Sequence, residues 1–306
     1  MNTPDIEQLN KEYSINTSTS SLQFKNGSGD IPLLNIKNKH ASAVISLQGA
    51  HILSWMPDGE EDVIWLSEDA SFKPGKSVRG GIPICWPWFG AHETNSSYPA
   101  HGFARTVNWQ VSNAQELPTG ETQITFNLNT DQLPEYLQLM WPDKTTAEYI
   151  ITVGKNLNLE LITHNNSNQA ITIGQALHTY FNVNNVTDVN IYGLEDKAYL
   201  DKPDNFKQKK QTGSITIDQE VDRVYLKTAD DVIIDDKTRK ITISKQGSES
   251  TVVWNPWQEV AEKMGDLGED GYLNMLCVES ANAADDTRTI NAGGHHILSV
   301  CYQLSR

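Results

Sequence analysis

The 306-residue chain has only three cysteines, Cys85, Cys277 and Cys301, and no C-x-x-C pair. This excludes a disulfide framework and a zinc knuckle, and it suits a reducing compartment. No stretch approaches the ~18 consecutive apolar residues of a membrane-crossing helix. The first thirteen residues are polar, without the charged segment and apolar run of a secretory leader. Basic residues are scarce, with 24 Lys and Arg against 39 Asp and Glu, a formal net charge of −15. Nucleic acid and anionic membrane surfaces need clustered Lys and Arg, so neither is expected as a partner. Also missing are a P-loop, a G-x-G-x-x-G turn and a G-x-S-x-G elbow, which sets aside nucleotide-dependent and serine-hydrolase chemistry. The eight histidines form no H-E-x-x-H, and adjacent His295 and His296 would point to opposite faces of a strand, so no metal is expected. The reading is a cytoplasmic monomer.

What the chain does have is enough apolar material for a large core: 38% hydrophobic residues, with 8 Trp. Apolar residues alternate with polar ones at Ile124, Phe126 and Leu128, at Leu157, Leu159 and Leu161, at Ile215 and Ile217, and at Ile241 and Ile243. Each run is short and ends in Asn, Asp, Gly or Pro, the pattern of antiparallel strands. Helices between strands are missing, which excludes a parallel α/β fold. Short helices are expected at 132–141 and 258–267, and one after Thr3-Pro4, with Pro4 at its first position. No linker divides the chain, and 203–210 reads as a polar loop. The expectation is an all-β fold of around twenty strands: one large antiparallel β-sandwich over residues 1–306, with 1–20 as an N-terminal extension.

Five segments break the strand rules, and such failures concentrate at functional sites. Val78 to Gly90 holds two prolines, three glycines after Arg79, and Trp86, Trp88 and Phe89. Its aromatics fit either a buried crossover or a wall on which a sugar ring stacks. Arg79 is either a surface charge or a ligand contact beside a glycine pair that permits close backbone approach. His101 and Arg105 flank Gly102, a weak signal by itself. His178, beside Thr179-Tyr180-Phe181, is either a core histidine or an acid working near neutral pH. Asp222-Arg223 fits a surface ion pair. Glu279 interrupts the apolar run Met275 to Val278, and buried carboxylates are rarely tolerated without a partner. It is the best candidate for a perturbed general base.

The order of these segments is more specific than any one of them. Arg79-Gly80-Gly81-Ile82-Pro83, Trp86-Pro87-Trp88-Phe89-Gly90, His101-Gly102-Phe103-Ala104-Arg105, Leu177-His178-Thr179-Tyr180-Phe181, Asp222-Arg223-Val224-Tyr225, Val253-Trp254-Asn255-Pro256 and Cys277-Val278-Glu279 follow one another in the chain. Together they resemble the aldose 1-epimerase (galactose mutarotase-like) superfamily, and within it the hexose-6-phosphate branch. The resemblance implies a β-supersandwich with an open cleft, and interconversion of the α and β anomers of a hexose 6-phosphate, glucose 6-phosphate first, without a cofactor. It implies His178 as general acid and Glu279 as general base. Arg79 and Arg105 would hold the phosphate, and His101 and Asp222 would contact or orient the sugar. Trp88 is the aromatic expected to pack on the sugar's apolar face. Ala100 stands where some relatives carry Gln, a departure at one polar ligand contact.

The residue types agree with this chemistry. Mutarotation needs a base for the anomeric hydroxyl proton and an acid for the ring oxygen, and the expected starting state is ionised Glu279 with protonated His178. A guanidinium donates a bidentate fork to phosphate. Two other readings stay open: mutarotation of free aldoses, and a non-catalytic sugar-phosphate binder on the same fold.

Overall fold

Alternation becomes pleated strands in the computed structural model, which describes residues 4–306. Along Thr145–Val153 every odd-numbered residue is buried and the even ones are partly exposed. Leu157–Asn165 also buries every odd-numbered residue and pairs with it antiparallel, Leu157 opposite Val153. Apolar residues at period two put one pleated face into a core. Ile124, Phe126 and Leu128 do this on Thr122–Asn129, as do Ile241 and Ile243 on Lys240–Gln246.

Two eight-stranded antiparallel sheets form the sandwich. The first runs in space Asn190–Tyr192, Val232–Asp235, Lys240–Gln246, His295–Ser305, Leu157–Asn165, Thr145–Val153, Thr122–Asn129, Gln110–Glu116. The second runs Lys207–Lys210, Ala198–Asp201, Val221–Leu226, Ser250–Asn255, Met275–Asn282, Gln175–Leu177, Ile84–Cys85, with Tyr180–Asn182 also paired to Met275–Asn282. Five strands between Ile15 and Pro57 make a third sheet. One apolar core draws Tyr149, Leu161 and Tyr302 from the first sheet, Leu177, Val253 and Val278 from the second, and Leu34, Ile45 and Trp55 from the third.

Met275–Asn282 is buried along its whole length. Leu276 and Val278 join the main core, while Cys277 packs with Trp65 and Tyr180, and Ala281 with Cys85 and Val252, on the outer face. A central strand covered on both faces has no reason to alternate.

Helices are few: Ile6–Tyr13, Glu135–Met140, Trp257–Met264 and Gly271–Asn274. None among the described residues is long and apolar enough to cross a membrane. Thr3, expected just ahead of the first helix, lies outside the described residues. The first helix is capped by Asp5, whose Oδ1 accepts from the N–H groups of Glu7 and Gln8, so Pro4 precedes the cap and does not hold the first helical position expected of it. Two other expectations are corrected. Ile215 and Ile217 are buried in irregular chain, with a single bridge from Ile215 to Ile191. Lys207–Lys210 is an edge strand rather than loop, with Lys209 held by Asp201 at 2.6 Å and Asp204 at 2.8 Å. Lysine on a sheet edge guards it against further pairing.

Candidate active site

On one side Met275–Asn282 is paired by two short strands instead of one long one. Gln175–Leu177 ends with Leu177 opposite Ser280, and Tyr180–Asn182 begins with Tyr180 opposite Cys277. The register carries through the break, so His178 falls opposite Glu279. Its backbone N–H turns away to Pro83 O at 3.0 Å, and that of Thr179 to Leu177 O at 2.9 Å. Directly opposed residues share a face and meet: His178 Nε2 lies 3.4 Å from Glu279 Oε1. The histidine side chain is 11% exposed and the carboxyl 2%. His178 Nδ1 and Glu279 Oε2 are both buried without a hydrogen-bond partner.

Burial is the largest influence on both groups and drives each toward its neutral form. It pushes Glu279 well above the usual carboxylate range; the charge of Asp222 adds to this, and Lys202 and Arg105 oppose it. It holds His178 well below the usual imidazole range, helped by His101, Arg105 and Arg79. Burial thus favours a carboxylic acid beside a neutral imidazole and opposes the carboxylate and imidazolium expected from residue types. The reason is desolvation, which taxes both charges of a buried pair. The two states differ by one proton passed across the 3.4 Å contact.

Aromatic rings fix the imidazole. Tyr180 stacks on His178 with centroids 5.0 Å apart and planes 13° apart, and Trp254 and His101 approach it edge-on, each at 5.9 Å. Trp254 sits opposite Asp222 on one side and Cys277 on the other, so Asp222, Trp254 and Cys277 form a row across three strands. Asp222 Oδ2 accepts from Lys202 Nζ at 2.5 Å.

The two arginines are held differently. Arg79 donates from Nε to Asp266 Oδ1 at 3.0 Å and from Nη1 to the Tyr180 hydroxyl at 3.1 Å. Arg105 donates from Nη2 to Ala100 O at 3.0 Å and forms no ion pair among the described residues. Its charge acts on His101, His178 and Glu279 alike.

The 78–90 segment divides its aromatics. Trp86 is fully buried and donates from Nε1 to Thr163 Oγ1 at 3.0 Å. Trp88, expected to stack on a ligand, is 8% exposed, bonded through Nε1 to Pro99 O and enclosed by Phe103, His92 and Tyr98. Phe89 is partly exposed, its ring 4.9 Å from that of His101. The Gly80-Gly81 pair serves packing against its own chain: a Cβ on Gly81 would lie 2.3 Å from His51 Nε2 and 2.5 Å from Ile52 O. His101 and Gly102 take left-handed φ values of 68° and 70°, and a Cβ on Gly102 would come 2.0 Å from Trp86 O. That close approach sets the His101 ring beside His178 and Phe89.

Sequence reasoning had no role for Trp254, although it stands in one of the quoted motifs, nor for Tyr180, Lys202 or Asp266. Asp266 lies 187 residues from Arg79 in the chain and in no motif. Among the described residues no three His, Cys, Asp or Glu side chains gather to hold a metal ion.

A histidine and a carboxyl on the outer face of one sheet of a large antiparallel sandwich define a mutarotase-type β protein. Solved structures share the architecture. A crystal structure described as a "putative mutarotase" from Salmonella typhimurium matches with a TM-score of 0.86 at 32% identity, covering 98% of this chain and 99% of that one. A galactose mutarotase-like protein from Clostridium acetobutylicum matches with a TM-score of 0.75 at 12% identity, a likeness of fold alone, over 95% of this chain and 100% of that one. Residues 32–303 match the aldose 1-epimerase family, and the chain belongs to it. Among its relatives, a protein of Escherichia coli (strain K12) is 36% identical over 88% of this chain and 89% of its own length. One of Salmonella typhimurium (strain LT2) is 38% identical over 83% and 84%. Both carry the name "Putative glucose-6-phosphate 1-epimerase".

Proposed function

We propose that this chain interconverts the α and β anomers of a hexose 6-phosphate, with glucose 6-phosphate as the first substrate to test. The observation that carries the reading is the direct His178–Glu279 contact on the outer face of the second sheet, with one unsatisfied atom on each residue. The names of the relatives supply the phosphate.

Glu279, as carboxylate, takes the proton of the anomeric O1 hydroxyl while His178, as imidazolium, gives one to the ring oxygen O5. The C1–O5 bond breaks and the C1 carbonyl forms. The pair is then a carboxylic acid and a neutral imidazole, the state that burial favours, so the open-chain intermediate meets a site already neutral. Rotation about C1–C2 presents the other carbonyl face. His178 takes the O5 proton, O5 adds to C1, and Glu279 returns a proton to O1. Each positioned transfer contributes ~10²–10⁴-fold.

Arg105, with no carboxylate partner, is the main phosphate ligand in this reading. Arg79 is a half-committed one, its fork shared with Asp266 and Tyr180. His101 and Asp222 contact sugar hydroxyls. The apolar sugar face packs on Trp254 and Phe89, which are partly exposed, in preference to Trp88. Anomer exchange measured by NMR on glucose 6-phosphate and on glucose tests the reading. Exchange of the phosphate no faster than in buffer sinks it, and equal rates on both sugars sink the phosphate assignment.

A further inference from the structure

Asp222 brings a second carboxylate toward the Glu279 face. It is on Val221–Leu226, in the row that leads through Trp254 to Cys277, two residues from Glu279. Its side chain is only 13% exposed, and a carboxylate so placed needs a counter-charge. Asp201, at the end of the adjoining Ala198–Asp201 strand, adds a like charge to it and is itself drawn off by Lys209 at 2.6 Å. Among the described residues the one cation bonded to Asp222 is Lys202, from the 3₁₀ turn Lys202–Asp204, at 2.5 Å. The Lys202 side chain is 54% exposed, so little packing depends on it.

We infer that Lys202 is a positioning residue for the general base: it fixes and balances Asp222 so that Glu279 can release its proton beside a second carboxylate. This rests on the reading of Glu279 as base. The charges acting on the Glu279 carboxyl are those of Asp222, Lys202 and Arg105, with His178 in contact. The other titratable groups facing it are Cys85, Cys277 and, from the opposite sheet, Tyr302. Burial pushes all three far up, so they stay neutral over the working range. Lys202 opposes the effect of Asp222 at Glu279, and its charge also acts on His101.

The test uses the full chain and two readouts: the pH profile of anomer exchange on glucose 6-phosphate, and infrared titration of the Glu279 carboxyl band, assigned with Glu279→Gln. Lys202→Met keeps the side-chain stem and removes the charge. Both the acidic limb of the profile and the infrared titration should move to higher pH. At pH 6.5 kcat should fall roughly three- to tenfold, recovering at higher pH, with KM little changed. Lys202→Arg should restore both readouts, and Lys202→Met should move both by less in an Asp222→Asn background than in the unmutated protein. An unmoved titration overturns the inference: with a raised KM for glucose 6-phosphate Lys202 is a phosphate ligand, and with a lowered melting temperature alone it is a surface ion pair. An infrared shift with no exchange in the unmutated protein supports the pairing and sinks the mutarotase reading instead.

Discussion

His178 Nε2 faces Glu279 Oε1 at 3.4 Å, while His178 Nδ1 and Glu279 Oε2 are both buried without a partner. Leaving a buried polar atom unsatisfied costs roughly 1–3 kcal/mol. Such atoms are rare, and each calls for a reason. In the proposed mechanism a cyclic hemiacetal offers one: its O1 hydroxyl would be a donor for a carboxyl oxygen, and its ring oxygen an acceptor for an imidazole N–H.

Glu279→Gln should abolish exchange while leaving the fold intact. Glutamine is a near copy of the protonated acid that burial favours at this position. Exchange of glucose 6-phosphate anomers should drop by ~10²–10⁴-fold, with the urea midpoint unchanged or slightly raised. A variant that retains exchange ends the case for a base here.

The arginines should separate. Arg105→Ala should raise KM for glucose 6-phosphate by roughly ten- to a hundredfold, the worth of a charge-assisted contact, and leave thermal stability nearly unchanged. Arg79→Ala should also lower stability, because it strands partly buried Asp266 and the Tyr180 hydroxyl. Steady-state kinetics and thermal melts on both variants check this, and identical profiles would refute it.

Stability should fall in mild acid. Burial lowers His51 to about 4 and His101 to about 3, and holds His178 well below the ordinary value of 6.5. The unfolded chain binds these protons near pH 6.5 and the folded one does not. The stability they contribute is thus complete above 6.5 and is lost as pH falls toward the folded values. Glu279, shifted upward, acts in the opposite sense: its share is present below about 4.5 and is lost as pH rises. His51 Nε2 bonds Gly80 O at 2.8 Å, a contact that a glutamine amide can replace. His51→Gln should therefore flatten the slope between pH 6.5 and 4.5 by up to ~1.4 kcal/mol per pH unit. Urea unfolding at several pH values reads the slope, and an unchanged slope refutes the assignment.

Gly102→Ala should be severe for a one-carbon change. Its Cβ would press on Trp86 O, and φ there is 70°. A loss of roughly 1–3 kcal/mol is expected, with a kcat loss beyond it because His101 is displaced. Full activity in a soluble, folded variant would show that His101 placement is unimportant.

Much of this was legible in the chain. Leu157, Leu159 and Leu161 announce their strand because one face is wet and the other dry. Glu279 announces itself by the opposite route, as a charge in a strand buried on both faces. Other features were hidden for physical reasons. Lys207–Lys210 carries no apolar alternation because an edge strand held by ion pairs does not need it. Ile215 and Ile217 alternate and are buried, yet most of their backbone pairing is absent. Composition cannot say which of three neighbouring aromatics turns outward, and Trp88 turned in. Nor can residue type give charge state, since the drive of His178 and Glu279 toward their neutral forms follows from desolvation, which only the assembled sheets impose.

Thr179, in the ladder break beside His178, has its Oγ1 2.5 Å from the hydroxyl of Tyr302 on the facing sheet. The imidazole is thus registered against both layers at once. Neither sheet formed alone would set it, so enzymatic activity should return last during refolding, after secondary structure and collapse. Recovered anomer exchange would serve as a clock for closure of the sandwich, one that spectroscopic signals from either sheet would run ahead of.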